Sequence, residues 1–155
     1  MAALSDFTEN KIIDWLFRAQ AIGITGATAA AGTGPATLYV GLLTTTPTDS
    51  TAGTEVTGNA YARAGVTSSL TAWAGTQAAA STVASSGTGG TTSNNAVITF
   101  PTPTATWGTV VGMGVYDATT GGNLLFYSAL TTSKVINTGD GVTFPAASLT
   151  FQIDN

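Results

Sequence analysis

Along the chain, short runs rich in β-branched and aromatic residues alternate with stretches of Thr, Gly, Ser and Pro that break them. After Pro35, the run from Thr37 to Thr44 (Thr-Leu-Tyr-Val-Gly-Leu-Leu-Thr) predicts a first strand. A loop from Thr45 to Gly58 follows, with Pro47, Asp49 and Gly53 as breakers. Tyr61 to Thr67 alternates in polarity, and Leu70 to Trp73 extends that segment. Ala96 to Phe100 predicts a strand stopped by Pro101, and Trp107 to Tyr116 a long one in which Gly112 and Gly114 mark bulges or close approaches. Asp117 to Asn123 reads as a hairpin connection returning through Leu124 to Leu130. Lys134 to Thr138, a turn at 139–141 and Ser148 to Ile153 complete the set.

Only one segment has helical periodicity. Residues 4 to 20 place Phe7, Ile12, Ile13, Trp15, Leu16 and Phe17 on a broad apolar face, best buried against the protein's own sheet. Ser5 or Asp6 suits the N-cap, Asp6 and Glu9 have capping-box spacing, and both acids favour the first turn. Asp14 and Arg18 fall four apart and predict a surface ion pair worth a few tenths of a kcal/mol. Residues 23–36 are small and Gly-rich, as in a linker or an irregular surface loop; 75–95 has little to bury, with ends that suit strand pairing and 85–94 reading as a flexible loop tip.

Short strands at roughly 8 to 12 residue spacing predict an all-β protein: an antiparallel β-sandwich, jelly-roll-like, with one N-terminal α-helix. The organisation expected is a helix and small-residue arm over 1–36, then a β-sandwich domain over 37–155.

Composition sharpens that picture. Charged residues make up 8 % of the chain against about 25 % in ordinary soluble domains, while 43 % is hydrophobic, too much for a disordered chain. A free monomer guards its sheet edges with Lys, Glu or Pro, and few guards are at hand here, so neighbouring subunits are expected to cover much of the surface. With four basic residues and a net charge of −4, neither nucleic acid nor a membrane surface is an expected partner. The first residues carry no secretory-signal pattern, and no apolar run is long enough to cross a bilayer.

The chain contains no His and no Cys. A Ser or Thr nucleophile would have only Lys11 or Lys134 as a base, and Ser133 and Lys134, adjacent on a strand, point to opposite faces. Nucleophile-elbow, Walker A and dinucleotide-binding patterns are absent. The acids Asp49, Glu55, Asp117 and Asp140 suit turn chemistry better than paired-carboxylate catalysis. Asp49 and Glu55 share a loop whose oxygens suit Ca²⁺, but the ligand count is low and EF-hand spacing is missing. No catalytic residue, cofactor or metal site is therefore assigned. Trp15, Trp73 and Trp107 are expected as core or interface anchors. Between Arg63 and Lys134 there is no Lys or Arg, so a trypsin-like protease finds no cleavage site there.

Several pieces, in order, carry a resemblance: Leu38 to Asp49, Gly53 to Gly58, Tyr61 to Arg63, Ile98 to Pro101, Trp107 to Val110, Gly114 to Asp117, Gly121 to Leu125 and Ala129 to Thr132. Together with the start Leu4-Ser-Asp-Phe, they make the chain resemble the small virion structural proteins of tailed bacteriophages over nearly all its length. That resemblance implies a non-enzymatic head decoration, head fibre or tail fibre protein. The first expectation is a capsid decoration (cement) protein on the outer surface of the head, found in the host cytoplasm during assembly. It would be a homotrimer bound to the major capsid protein, stabilising the lattice by binding only its assembled form. The candidate interface is the helical start: Leu4, Phe7, Ile12, Trp15 and Leu16. The alternative is a tail fibre or receptor- or carbohydrate-binding module, using Trp73, Tyr61 or Tyr116 as stacking platforms.

Overall fold

The structure, a computed structural model, describes residues 4–23, 34–48 and 50–153. Antiparallel β-sheet dominates, with a single N-terminal helix among the described residues, as the strand spacing predicts. The chain divides into two compact units: one of residues 37–66 and 99–143, the other of 1–36, 67–98 and 144–155.

In the first of these, β1 (Thr37–Thr45) lies between β6 (Gly108–Tyr116) and the short strands β2 (Thr54–Glu55) and β3 (Ala64–Thr67). The long strand β7 (Leu124–Ile136) pairs with the other side of β6 and forms the sheet edge. Period-2 alternation buries Leu38, Val40 and Leu42 from β1, and Val110, Met113 and Val115 join them from β6. The expected pair of strands at Leu124–Leu130 and Lys134–Thr138 is one continuous element. Lys134 pairs with Val110 and Ala129 with Gly112, so Leu130 to Ser133 oppose Val111 alone in a wide bulge. Polar Thr131, Thr132 and Ser133 are exposed there, which lets the ladder resume without burying them.

In the second unit, α1 (Asp6–Arg18) buries Ile13, Leu16 and Phe17, each worth about 1.5–3 kcal/mol of apolar burial. Phe17 meets Trp73 edge-on at 5.0 Å and Phe151 at 5.1 Å. Strands β4 (Thr91–Ser93) and β9 (Thr150–Gln152) pair beside them. Belonging wholly to neither unit, the short strands β5 (Ile98–Thr99) and β8 (Thr143–Phe144) form a separate two-stranded sheet. These pairings establish the antiparallel class; they do not trace a jelly roll.

Three local expectations change. Ser5 holds the N-cap position, but its Oγ faces Thr8 Oγ1 (3.2 Å) instead of a backbone N–H. Asp6 is already helical, so the Asp6–Glu9 capping box does not form, and the helix ends at Arg18 because Ala19 turns left-handed (φ 54°). Second, Asp14 and Arg18 are buried, not on the surface: their side chains are 5 % and 0 % exposed, with 2.6 Å between Nη1 and Oδ1. Arg18 also donates from Nε to the Trp73 carbonyl, from Nη1 to Ser85 Oγ and from Nη2 to the Val83 carbonyl. Third, 85–94 is tied down. Ser85 donates from its N–H and Oγ to Asp14, the Gly87 carbonyl accepts from Asn10 Nδ2, and Thr91–Ser93 is strand. Asn94, fully buried, donates to the Ala96 and Pro145 carbonyls and accepts from the Leu149 N–H. A segment with little to bury is held by hydrogen bonds that hydrophobic periodicity does not report.

Candidate functional site

Two cross-strand glycines make room for a polar cluster on one face of the sheet. Gly41 on β1 pairs with Gly114 on β6, two residues from Tyr116, and neither fills the space above the sheet. The ring of Tyr116 settles there: a Cβ on Gly41 would lie 3.0 Å from it, and one on Gly114 2.9 Å. That same Cβ on Gly41 would come 2.8 Å from Glu55 Oε1 and 3.2 Å from the Tyr61 hydroxyl. The glycines are thus needed for close approach.

Onto this floor β2 brings Glu55, and the loop between β2 and β3 brings Tyr61 and Arg63. Arg63 grips Glu55 with two parallel bonds, Nε to Oε1 at 2.8 Å and Nη2 to Oε2 at 2.7 Å. Its Nη1 donates to the carbonyls of Ala118 and Gly121 at 2.7 and 2.8 Å, pinning the β6–β7 connection. The guanidinium lies 3.4 Å from the centre of the Tyr116 ring. The Tyr61 hydroxyl donates to Glu55 Oε1 (2.7 Å) and accepts from the Leu42 N–H (2.8 Å), while its ring meets Trp107 edge-on.

Electrostatics follow the geometry. Burial pushes the Tyr61 phenol far above its ordinary value and Glu55 pushes it further, against the opposing Leu42 N–H. Tyr116 is raised by burial and then by the Glu55 charge. For Arg63 burial works against the charge, but Glu55 outweighs it and the guanidinium is held more firmly protonated. Both tyrosines therefore stay neutral and the arginine charged near neutral pH.

The ion pair separates two hollows. One, of about 420 Å³, is lined by Glu55, Thr57, Tyr61, Arg63, Thr120 and Gly121, among others. The other, of about 240 Å³, lies between Gly53, Tyr116, Gly122 and Leu124 and shares Glu55, Arg63 and Gly121.

The residues singled out from sequence are scattered by comparison. Of the candidate interface, Leu4 and Phe7 are exposed (43 % and 57 %), Ile12 and Trp15 are half-buried, and Leu16 is buried. The expected stacking platforms do not serve: Trp73 is fully buried, Tyr116 has Arg63 over its ring, and Tyr61 is half-buried beneath its hydrogen bonds. Asp49 lies outside the described residues, and Glu55 is committed to Arg63. No cluster of three metal-ligating side chains occurs among the described residues. Asp117 accepts from the N–H and Nδ2 of Asn123, both at 2.7 Å, and Asp140 from the Asn137 N–H at 2.8 Å, which is the turn chemistry expected of them.

The Glu55–Arg63–Tyr116 cluster was not legible beforehand. Its one sequence signal is glycine placed within otherwise apolar strand runs, at Gly41 and Gly114. Among the described residues no helix is long and apolar enough to cross a membrane. No curated protein matches the chain. A family model described as podophage GP4 fiber I protein gp80 matches residues 3–152, so the chain belongs to this family of phage fibre proteins.

Proposed function

We propose that this chain is a non-catalytic component of a podophage virion fibre, working as a homo-oligomer attached to another virion protein. The observation that carries this reading is the family match, which spans nearly the whole chain and describes a fibre protein. It favours the fibre alternative over the capsid decoration role and its contact with the major capsid protein. The chemistry is consistent with it: Arg18 and Arg63 are consumed by internal contacts, and the tyrosines beside Arg63 are held neutral. Self-association is supported by the β7 edge, exposed through most of Tyr127–Val135 with Lys134 its one charge. The exposed Leu4 and Phe7 at the helix start suit an attachment surface.

Antibody labelling of intact virions, read by electron microscopy, tests the reading. Label on projecting fibres is the expected result. Label spread evenly over the head would restore the decoration role, and particles without label would reject a virion component altogether.

A further inference from the structure

We propose that the hollow beside the Glu55–Arg63 pair is a binding site for a neutral carbohydrate. This deepens the fibre reading by naming a ligand class for this face of the sheet, and it rests on that reading only for its biological setting.

The argument begins with charge. Arg63 spends four N–H donors on Glu55, Ala118 and Gly121, so no fork is open to a phosphate, carboxylate or acidic sugar. Glu55 is neutralised by the same contact, so it lacks the free charge that would select a cation. An uncharged ligand is what remains.

The polar groups then narrow the class. Fixed acceptors surround the guanidinium: Glu55 Oε2 and the Gly121 carbonyl each take one bond from Arg63 and keep a lone pair. Thr57, Thr119 and Thr120, all exposed, line the same hollow, and a threonine hydroxyl rotates to donate or accept. Rigid acceptors beside adaptable hydroxyls match the vicinal hydroxyls of a sugar, each of which donates once and accepts twice. At about 420 Å³ the hollow falls within the roughly 300–1,000 Å³ of small-molecule sites. The adjoining hollow across the ion pair offers room for a second sugar unit.

Aromatic stacking is closed off, because Arg63 covers Tyr116 and Tyr61 meets Trp107. Affinity at one site therefore comes from hydrogen bonds exchanged with water and is weak, with avidity across fibre copies supplying the rest.

Amide NMR titration of the purified chain tests this with neutral hexoses and disaccharides at millimolar concentration, and sialylated oligosaccharides in parallel. Expected are saturable shifts confined to 55–63 and 118–121 with at least one neutral sugar. Thr120→Trp, which fills the hollow from an exposed loop, should weaken binding at least tenfold while leaving the remaining spectrum intact. Thr119→Val should weaken it less. No saturable shift with any neutral sugar, shifts elsewhere on the surface, preference for the acidic sugars or full binding by Thr120→Trp would each overturn the proposal. None of these outcomes bears on whether virion fibres carry the chain.

Discussion

Replacing Arg18 by Met separates a buried ion pair from a surface one more sharply than any other single change. An exposed pair four residues apart on a helix contributes about 0.3–0.5 kcal/mol. In the fold, however, Arg18 is fully buried and Asp14 nearly so. Removing the guanidinium strands the Asp14 carboxylate with only the Ser85 N–H and hydroxyl as donors. The Trp73 and Val83 carbonyls also lose the donor they accept from. Breaking a buried pair from one side costs about 3–5 kcal/mol, which for a chain of this size lowers Tm by roughly 6–20 °C.

The assay is urea unfolding followed by tryptophan emission, since Trp73 stands edge-on to Phe17 in the same unit. Asp14→Leu combined with Arg18→Met should cost less than the two single changes added together, because no charge is then left stranded. Raising salt from about 0.1 to about 1 M should leave the Arg18→Met deficit unchanged, as burial shields the pair from screening. A loss below about 0.5 kcal/mol, or a deficit that fades with salt, would refute the reasoning and return the pair to the surface.

Gly41→Ala should destabilise by about 1–3 kcal/mol, measured by the same unfolding curves, because its Cβ meets the locked Glu55 and the Tyr116 ring. In alkaline titration at 295 nm, Tyr61 and Tyr116 should ionise later than ordinary tyrosine. Their raised values favour the fold fully below the unfolded tyrosine range, and that contribution is lost as pH climbs toward the folded values, so unfolding and late tyrosinate absorbance should coincide. Acidification acts in the other direction at Asp117, which its Asn123 hydrogen bonds hold below the ordinary aspartate value. Order in the 117–123 connection, followed by amide shifts, should persist above that ordinary value and fade as pH falls through the lowered one. Under native conditions trypsin should cut first after Lys11 or Lys134, read by mass spectrometry, since Arg18 and Arg63 are sequestered.

What could be read from sequence was governed by periodicity. β1 and β6 emerged close to their true bounds because both are apolar runs of strand length ended by turn residues, with Leu38, Val40 and Leu42 alternating toward one buried face and Leu43 and Tyr116 buried on the other. The 117–123 connection, with Asp117 accepting from Asn123, emerged for a similarly local reason. Segment 75–95 did not, because its order comes from hydrogen bonds to Asp14, Arg18 and Asn10 far away in sequence. The candidate site was hidden for the same reason. Glu55 and Arg63 stand eight apart in a stretch that reads as a loop and the start of a strand, and only pairing on β1 makes them neighbours. Its visible trace was an absence of side chain at Gly41 and Gly114, which signals room without saying what fills it.

The scarcity of charge takes on a different meaning once these contacts are known. Of four basic residues, two are drawn inward, and each anchors a connection that could not hold itself by apolar burial: Arg18 the 81–85 stretch, Arg63 the link from β6 to β7. Arginine suits both places, since its rigid fork satisfies a carboxylate and several carbonyls at once while staying charged. What faces outward is then poor in cations and rich in threonine, with Lys134 alone on the long β7 edge. Such an edge is held off from indiscriminate pairing mainly by its wide bulge at Leu130–Ser133, which breaks the ladder where a flat strand would invite another. With a second irregularity at Leu125, the longest regularly paired stretch of β7 is Phe126–Ala129, so little of that edge offers a continuous ladder to any further strand.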